Sequence, residues 1–439
     1  MSRTTDPPPL SAKDKNSFAY LTIKDRLPVI LSKIADSVYR LKGKIKEEYG
    51  EEGTEDLKSF AGCISKLRNE VQTNKPVVPI KDGRSDVVVW NDHLEEIIKC
   101  TGSPPKWFES PWLYVECYMY RRVQEAAELC KTLKDFDVFR EQKEKSFFDS
   151  QQAILVLMEH LHNVVEEFKS GKQLDLKHLF ENFLKVSLWG NKCDLSISAG
   201  QDFAQTTSPL DQLHQFEPKI LVDNTDAVFT CLQNVKVTKG HQACVDIILD
   251  NAGFELMTDL CFAEFLVSFG LASKICFHVK AIPWFVSDVT PYDFSWMINQ
   301  LCASNSVYMS KFASKWQQYI EDKTWQVVVD DFWTLSFPFN EMESRCPNLH
   351  ARLAQSDFIF LKGDLNYRKL VGDLAWLFTT PFPESLRGFQ PAPLCALRTS
   401  KSDTITGLKD GQASQVKAQD DKWMVNGNWA VISFSDKMS

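Results

Sequence analysis

Four apolar, β-rich runs in the second half of the chain each end in groups that can bind ions or move protons. After "VDIIL" come Asp250, Asn251 and Glu255, and after "KAIPWFV" come Ser287, Asp288 and Thr290. "DFIFL" leads to Lys362, Gly363, Asp364, Asn366 and Arg368, and "PLCAL" to Arg398, Thr399 and Lys401. Two carboxylates and an amide carbonyl make a hard, all-oxygen donor set suited to Mg²⁺ or Mn²⁺, whereas zinc more often brings histidine or cysteine. Lys362, Arg368, Arg398 and Lys401 supply the opposite charge. Beside a divalent cation they would neutralise the oxygens of a phosphate ester, with arginine adding a two-pronged donor. A structural reading competes: Asp250 and Asn251 suit a cap and turn, Asp288 ahead of Thr290 and Pro291 suits the cap of the next helix, and Lys401 suits a solvated charge.

The elements that must position these groups follow from periodicity. "CVDIIL", "KICFHVK", "WQVVVDDFW", "DFIFLK" and "PLCALR" alternate with helix-compatible stretches such as Phe254–Phe269 and Asp293–Cys302, which predicts a mainly parallel sheet in an α/β fold. In such sheets ligands collect at the carboxyl ends of strands, so one crevice would gather all four exits. The first half reads as helix. Leu27, Ile30, Ile34, Val38, Leu41 and Ile45 follow three-and-four spacing up to Gly50, and Leu57, Ala61, Ile64, Leu67 and Val71 repeat it. Ser110 and Pro111 predict a helix start, as cap and first helical residue. The stripe Trp112, Tyr114, Tyr118, Tyr120 beyond them predicts packing, with Glu116 and Arg121 finding partners there. Further helices are expected over Gln151–Phe168 and Asp175–Leu188. The polar stretch from Gly190 to about Pro218 predicts a junction or surface loop, dividing the chain into a helical region, 1–189, and an α/β catalytic region, 190–439.

Composition narrows the function. A net charge of −8 over 439 residues argues against nucleic acid or an anionic membrane as partner, since both require a basic face. No stretch offers about 18 consecutive apolar residues and the amino terminus lacks a signal pattern, so a cytoplasmic protein, also nuclear, is expected. The 12 cysteines stand singly without zinc spacing and read as reduced thiols. The absence of heptads makes a monomer the expectation.

Taken together, "LDNAGFEL", "WFVSDVT", "FLKGDLNYRKL" and "LRTSK", with "LWGNKCDLS" upstream, resemble the damage-control phosphatase family of metal-dependent phosphatases. Arg398-Thr399-Ser400-Lys401 is similar to the RTxK signature of its subfamily III. The resemblance implies a helical N-terminal region packed on a Rossmann-like α/β/α sandwich, with Asp250, Asn251 and Asp288 as metal ligands. It places Glu255, the segment Asp364, Leu365, Asn366, Tyr367 and Arg368, and Lys401 at the substrate, with Asn191 and Asp194 at the pocket rim. It also implies fructose 1-phosphate and fructose 6-phosphate as substrates and Mn²⁺, Co²⁺ or Ni²⁺ as supporting metal, beside the Mg²⁺ that the donor set suits. On that reading Lys401, with Arg368, grips the phosphate, while Asp364 and Asn366 hold sugar hydroxyls. A second activity, S-adenosylmethionine-dependent methylation of protein glutamates, is implied for members of this type. "LDNAGFELMTD" carries one glycine where methyltransferases use a glycine-rich loop, which favours the phosphatase. Ala252 stands where an aspartyl-phosphate enzyme would place a second acid, so direct attack by water is expected, with Asp288 or Asp364 as the proton acceptor.

Overall fold

A computed structural model describes residues 6–198 and 209–436, with the side chains of 191–198 and 209–212 outside the description. Seven strands, β1 (Ile220–Asp223), β2 (Ala243–Ile248), β3 (Ala272–Val279), β4 (Trp325–Val329), β5 (Phe358–Lys362), β6 (Leu394–Thr399) and β7 (Ala430–Ser435), form one sheet. Their order is β1-β7-β6-β5-β2-β3-β4. The five strands expected from sequence, β2 to β6, run parallel to one another. β7 pairs antiparallel with β6 and β1 parallel with β7, so the two strands the sequence did not disclose run against the rest.

Burial on both faces explains why the parallel strands read as unbroken apolar runs. In β5, Phe358 and Phe360 join one hydrophobic cluster and Ile359 and Leu361 the other, as a period of two requires. One cluster carries the N-terminal helices Leu27–Arg40, Lys42–Gln72 and Trp112–Glu128; the other carries Gln151–Lys169, Leu176–Ser198 and Phe254–Ser268. The result is a helical N-terminal region packed on an α/β/α sandwich. No helix among the described residues is long and apolar enough to cross a membrane, and no described cysteine is paired.

Three local expectations need correction. "KAIPWFV" is not a strand: β3 stops at Val279, and residues 280–290 loop back to pair with the β2 exit. There Ala252 N donates to Ser287 O (2.7 Å), Val289 N to Asp250 O (2.9 Å) and Lys280 N to Val289 O (2.8 Å). The run is apolar because Ile282 and Trp284 are buried. Pro111 is the N-cap (φ −52°, ψ 134°) rather than the first helical residue of Trp112–Glu128, and the Ser110 hydroxyl accepts from Lys106 N instead. The polar stretch after Gly190 is helix as far as Ser198. Gly190 allows this by its missing side chain, since a Cβ there would stand 2.6 Å from Thr258 Oγ1.

Candidate active site

β2 is the strand at which the sheet order reverses: the chain goes on to β3 and β4 on one side and returns to β5 and β6 on the other. The exits of β2 and β5 therefore open side by side, at the place where open α/β sheets bind ligands. Register pairs Ile248 with Leu361, which brings Asp250 out beside Gly363. Gly363 has φ +87°, and a Cβ there would lie 1.9 Å from Asp250 Oδ2. Only glycine lets the carboxylate occupy this position.

One cavity of about 130 Å³ is lined by Asp250, Asn251, Ser287, Asp288 and Lys401. Asp364, Leu365 and Arg368 line it from helix Gly363–Val371, where Arg368 follows Asp364 by four residues and Leu365 by three and so shares a face with both. Clefts of about 580 and 600 Å³ open elsewhere, but neither gathers these groups, so chemistry rather than size marks the site. Burial pushes the Asp250 carboxyl well above the usual carboxylate range, and the neighbouring Glu255 and Asp288 carboxylates add to it. Burial likewise lifts Asp288 to about 6 against the lowering effect of Lys280. Lys280 Nζ stands 3.2 Å from Asp288 Oδ2, an ion pair outside hydrogen-bond geometry that leaves this buried oxygen without a hydrogen-bond donor. Crowded carboxylates with an orphaned oxygen suit a bound cation, and the all-oxygen donor chemistry fits a hard divalent one. Asn251 turns its amide nitrogen to Asp250 Oδ2 (2.7 Å) and Glu255 Oε2 (2.8 Å), while its oxygen accepts from Ser287 Oγ. For Asn251 to ligate a cation, the amide must turn over so that its oxygen faces the carboxylates.

The loop that delivers Ser287 and Asp288 is strained. Phe285 and Val286 have φ 42° and 73°, and a β-branched residue at positive φ is rare and unfavourable. The backbone bonds from Ala252 and Val289 hold it in place. The structural reading gave Asp288 as the cap of the next helix; the cap is Thr290 instead, which opens helix Pro291–Cys302 in a capping box with Asp293.

The cations divide into two groups. Arg398 is fully buried and donates to Asp364 Oδ1 (2.7 Å), Thr404 O (2.6 Å) and Ser402 Oγ (2.8 Å). Lys362 lies behind the site, bonded to Ser187 and 2.8 Å from Asp259. Neither lines the cavity, so both position other groups. Replacing Arg398 with methionine is expected to destabilise the fold by about 3–5 kcal/mol, because it leaves Asp364 buried without its cation; a urea midpoint unchanged from wild type would overturn this. Arg368 does line the cavity, yet it is gripped by Asp373 (2.8 and 3.0 Å) and Glu116 (2.6 Å) and lies 3.6 Å from the centre of the Trp112 ring. Lys401 differs: its backbone N–H donates to Asp364 Oδ1 (3.0 Å), but its ammonium makes no hydrogen bond or ion pair among the described residues.

Of the expected site residues, Asp250, Asn251, Asp288, Asp364, Leu365, Arg368 and Lys401 converge. Glu255 stands behind Asn251, Asn366 bonds the carbonyls of Lys362 (2.7 Å) and Leu249 (3.3 Å), and the Tyr367 hydroxyl meets Thr406. None of these three lines the cavity. The side chains of Asn191 and Asp194 lie outside the described residues. Arg26, Trp112, Glu116 and Phe285 also line the cavity, none of them among the expected site residues. Glu116 left a trace in the sequence, the one charge within the aromatic-rich run Trp112–Tyr120; Arg26 left none. Arg121, the next charge along that helix, pairs with Asp82 and Asp86.

Fold and site define a Rossmann-like α/β/α protein with an acidic, cation-rimmed crevice at its switch point. Residues 22–416 match the family model described as damage-control phosphatase ARMT1-like domain, and the chain belongs to that family. It is 49% identical to Damage-control phosphatase ARMT1 of Danio rerio over 98% of this chain and 97% of the relative. The proteins of the same name from Bos taurus and Homo sapiens are 45% and 43% identical, each over 98% of both chains.

Proposed function

We propose that this protein is a divalent-metal-dependent phosphatase of small phosphorylated metabolites, with hexose phosphates such as fructose 1-phosphate and fructose 6-phosphate as its substrate class. The observation that carries this reading is the convergence of Asp250 and Asp288, both buried, with the uncommitted Lys401 ammonium in one small cavity. Asp250, Asp288 and a turned Asn251 would hold the cation. Mn²⁺, Mg²⁺, Co²⁺ or Ni²⁺ bound there would supply Lewis acidity toward a phosphoryl oxygen and make water a stronger nucleophile. Lys401 binds the phosphate oxygens. Asp364 is held below the usual carboxylate range, with burial opposed by Arg398, Arg368 and the Lys401 N–H, and so stays ionised to accept a substrate hydroxyl. Trp112 and Phe285 give the cavity apolar walls against a sugar ring and exclude water. The position two after Asp250 is Ala252, which favours attack by water over an aspartyl-phosphate route.

The division into a helical region, 1–189, and a catalytic region, 190–439, the cytoplasmic and nuclear location and the monomeric state all belong to this proposal. Methyl transfer from S-adenosylmethionine gains no support from the turn after β2: its glycine, Gly253, packs against Ser146 and offers no open cradle. The test is phosphate release from a panel of sugar phosphates, with each metal and with EDTA. Turnover that survives EDTA would overturn the metal assignment, and no release from any member would overturn the activity.

A pH effect arises from the same carboxylates. Asp288 is raised from 3.8 to about 6, so its contribution to stability is complete below the unfolded value and is lost as pH rises through the folded one. Metal-free protein should therefore lose stability between pH 3.8 and about 6. A cation that relieves the crowding should raise the melting temperature more near neutrality than near pH 5. Equal metal-induced shifts at both pH values would contradict the ligand set.

A further inference from the structure

We infer that Arg26, brought in from the helical region, binds the substrate phosphate together with Lys401; the inference rests on the phosphatase reading. The helical stretch beginning at Phe18 is not regular. Residues Thr22–Arg26 form a π-helical turn between α-helical Phe18–Leu21 and Leu27–Arg40. Such turns insert one residue into a helix, reorient the residues beyond it and concentrate at functional sites. Here the wide turn ends on Arg26, which lines the cavity, while Thr22, Ile23 and Leu27 on either side remain buried. The turn has a visible cost, for Thr22 Oγ1 is buried without a hydrogen-bond partner.

The same stretch is tied to the loop that carries Lys401. Phe18 N donates to Asp403 Oδ2 at 2.5 Å, two residues beyond the lysine, so the two cations reach the cavity from segments fastened to each other. Charge balance then points to their ligand. Arg368 is committed to Asp373 and Glu116 and Lys280 to Asp288, whereas the side chains of Arg26 and Lys401 make no hydrogen bond or ion pair among the described residues. Two uncommitted cations match the near-double negative charge of a phosphate monoester at neutral pH, and a guanidinium can grip two of its oxygens at once.

Arg26→Met tests this with little risk to folding, because Arg26 is exposed. The variant should melt like wild type in the absence of ligand. Its KM for a hexose phosphate and the inhibition constant of inorganic phosphate should both rise roughly tenfold to a hundredfold, the loss of one charge-assisted contact, with Arg26→Lys recovering part of each. Unchanged KM and unchanged phosphate inhibition in the folded variant would overturn the assignment. If wild-type protein released no phosphate from any ester, the phosphatase reading would fail by itself. Calorimetric titration of metal-loaded wild type and variant with inorganic phosphate still decides the role of Arg26: weaker or lost binding in the variant alone supports it, and equal binding by the two, or none by wild type, overturns it.

Discussion

Asp250→Asn is expected to lower phosphate release by on the order of a thousandfold while leaving a folded protein. The substitution keeps the shape of the side chain and keeps an oxygen to accept from Asn251 Nδ2, so structure is preserved. It removes one of the two buried anions proposed to hold the cation. Stability should move the other way. The Asp250 carboxyl sits well above its ordinary range because it is buried beside Glu255 and Asp288, so near neutral pH the folded state is penalised relative to the unfolded one, in which the carboxyl ionises freely. Metal-free Asp250→Asn should accordingly melt above metal-free wild type and gain less from added Mn²⁺. Wild-type turnover by the variant would remove the basis for placing a cation here.

Gly363→Ala should produce the second large effect without touching a polar group. A β-carbon would meet Asp250 Oδ2 at 1.9 Å, and φ +87° strains any side chain. The carboxylate must leave, or the exit of β5 must shift. Either outcome displaces the ligand set, so activity should fall about as far as in Asp250→Asn. Stability should fall by roughly 2–4 kcal/mol, the sum of backbone strain and overpacking. Gly388 is the internal control: its φ is +90°, but a Cβ there meets nothing within 4 Å. Gly388→Ala should show only the strain, about 1–2 kcal/mol, with turnover intact. Denaturant midpoints and phosphate-release rates for the pair separate the two causes; full activity in Gly363→Ala would show that the position of Asp250 is immaterial.

The sheet was legible wherever burial on both faces had forced unbroken β-rich runs, which is why β2 to β6 stand out. β1 has four residues, one of them exposed, too short for a period to show. β7 is longer, but it comes after a turn-rich segment, and only its pairing with β6 reveals its direction. "KAIPWFV" misled for the same reason that the true strands could be read: burial makes a loop as apolar as a strand.

The candidate site divides along the same line. Residue type and order along the chain, by themselves, determined the α/β class, the strand exits and the kinds of group at them, because a strand end has to hand its chain to a loop at a known face of the sheet. Tertiary structure decided which of those groups meet. Lys401 and Arg398 lie three residues apart in one motif, yet one ammonium faces the cavity and the other cation is bound from three sides by protein oxygens. Asp364 and Arg368 line the cavity while Asn366 and Tyr367 do not, a matter of helical phase. Arg26 and Glu116 reach the crevice from helical segments more than a hundred residues before Asp250 in the chain, and only packing of the helical region on the sheet brings them there. Direction and distance belong to the folded chain, since short-range sequence patterns record which face is buried and not what stands opposite it.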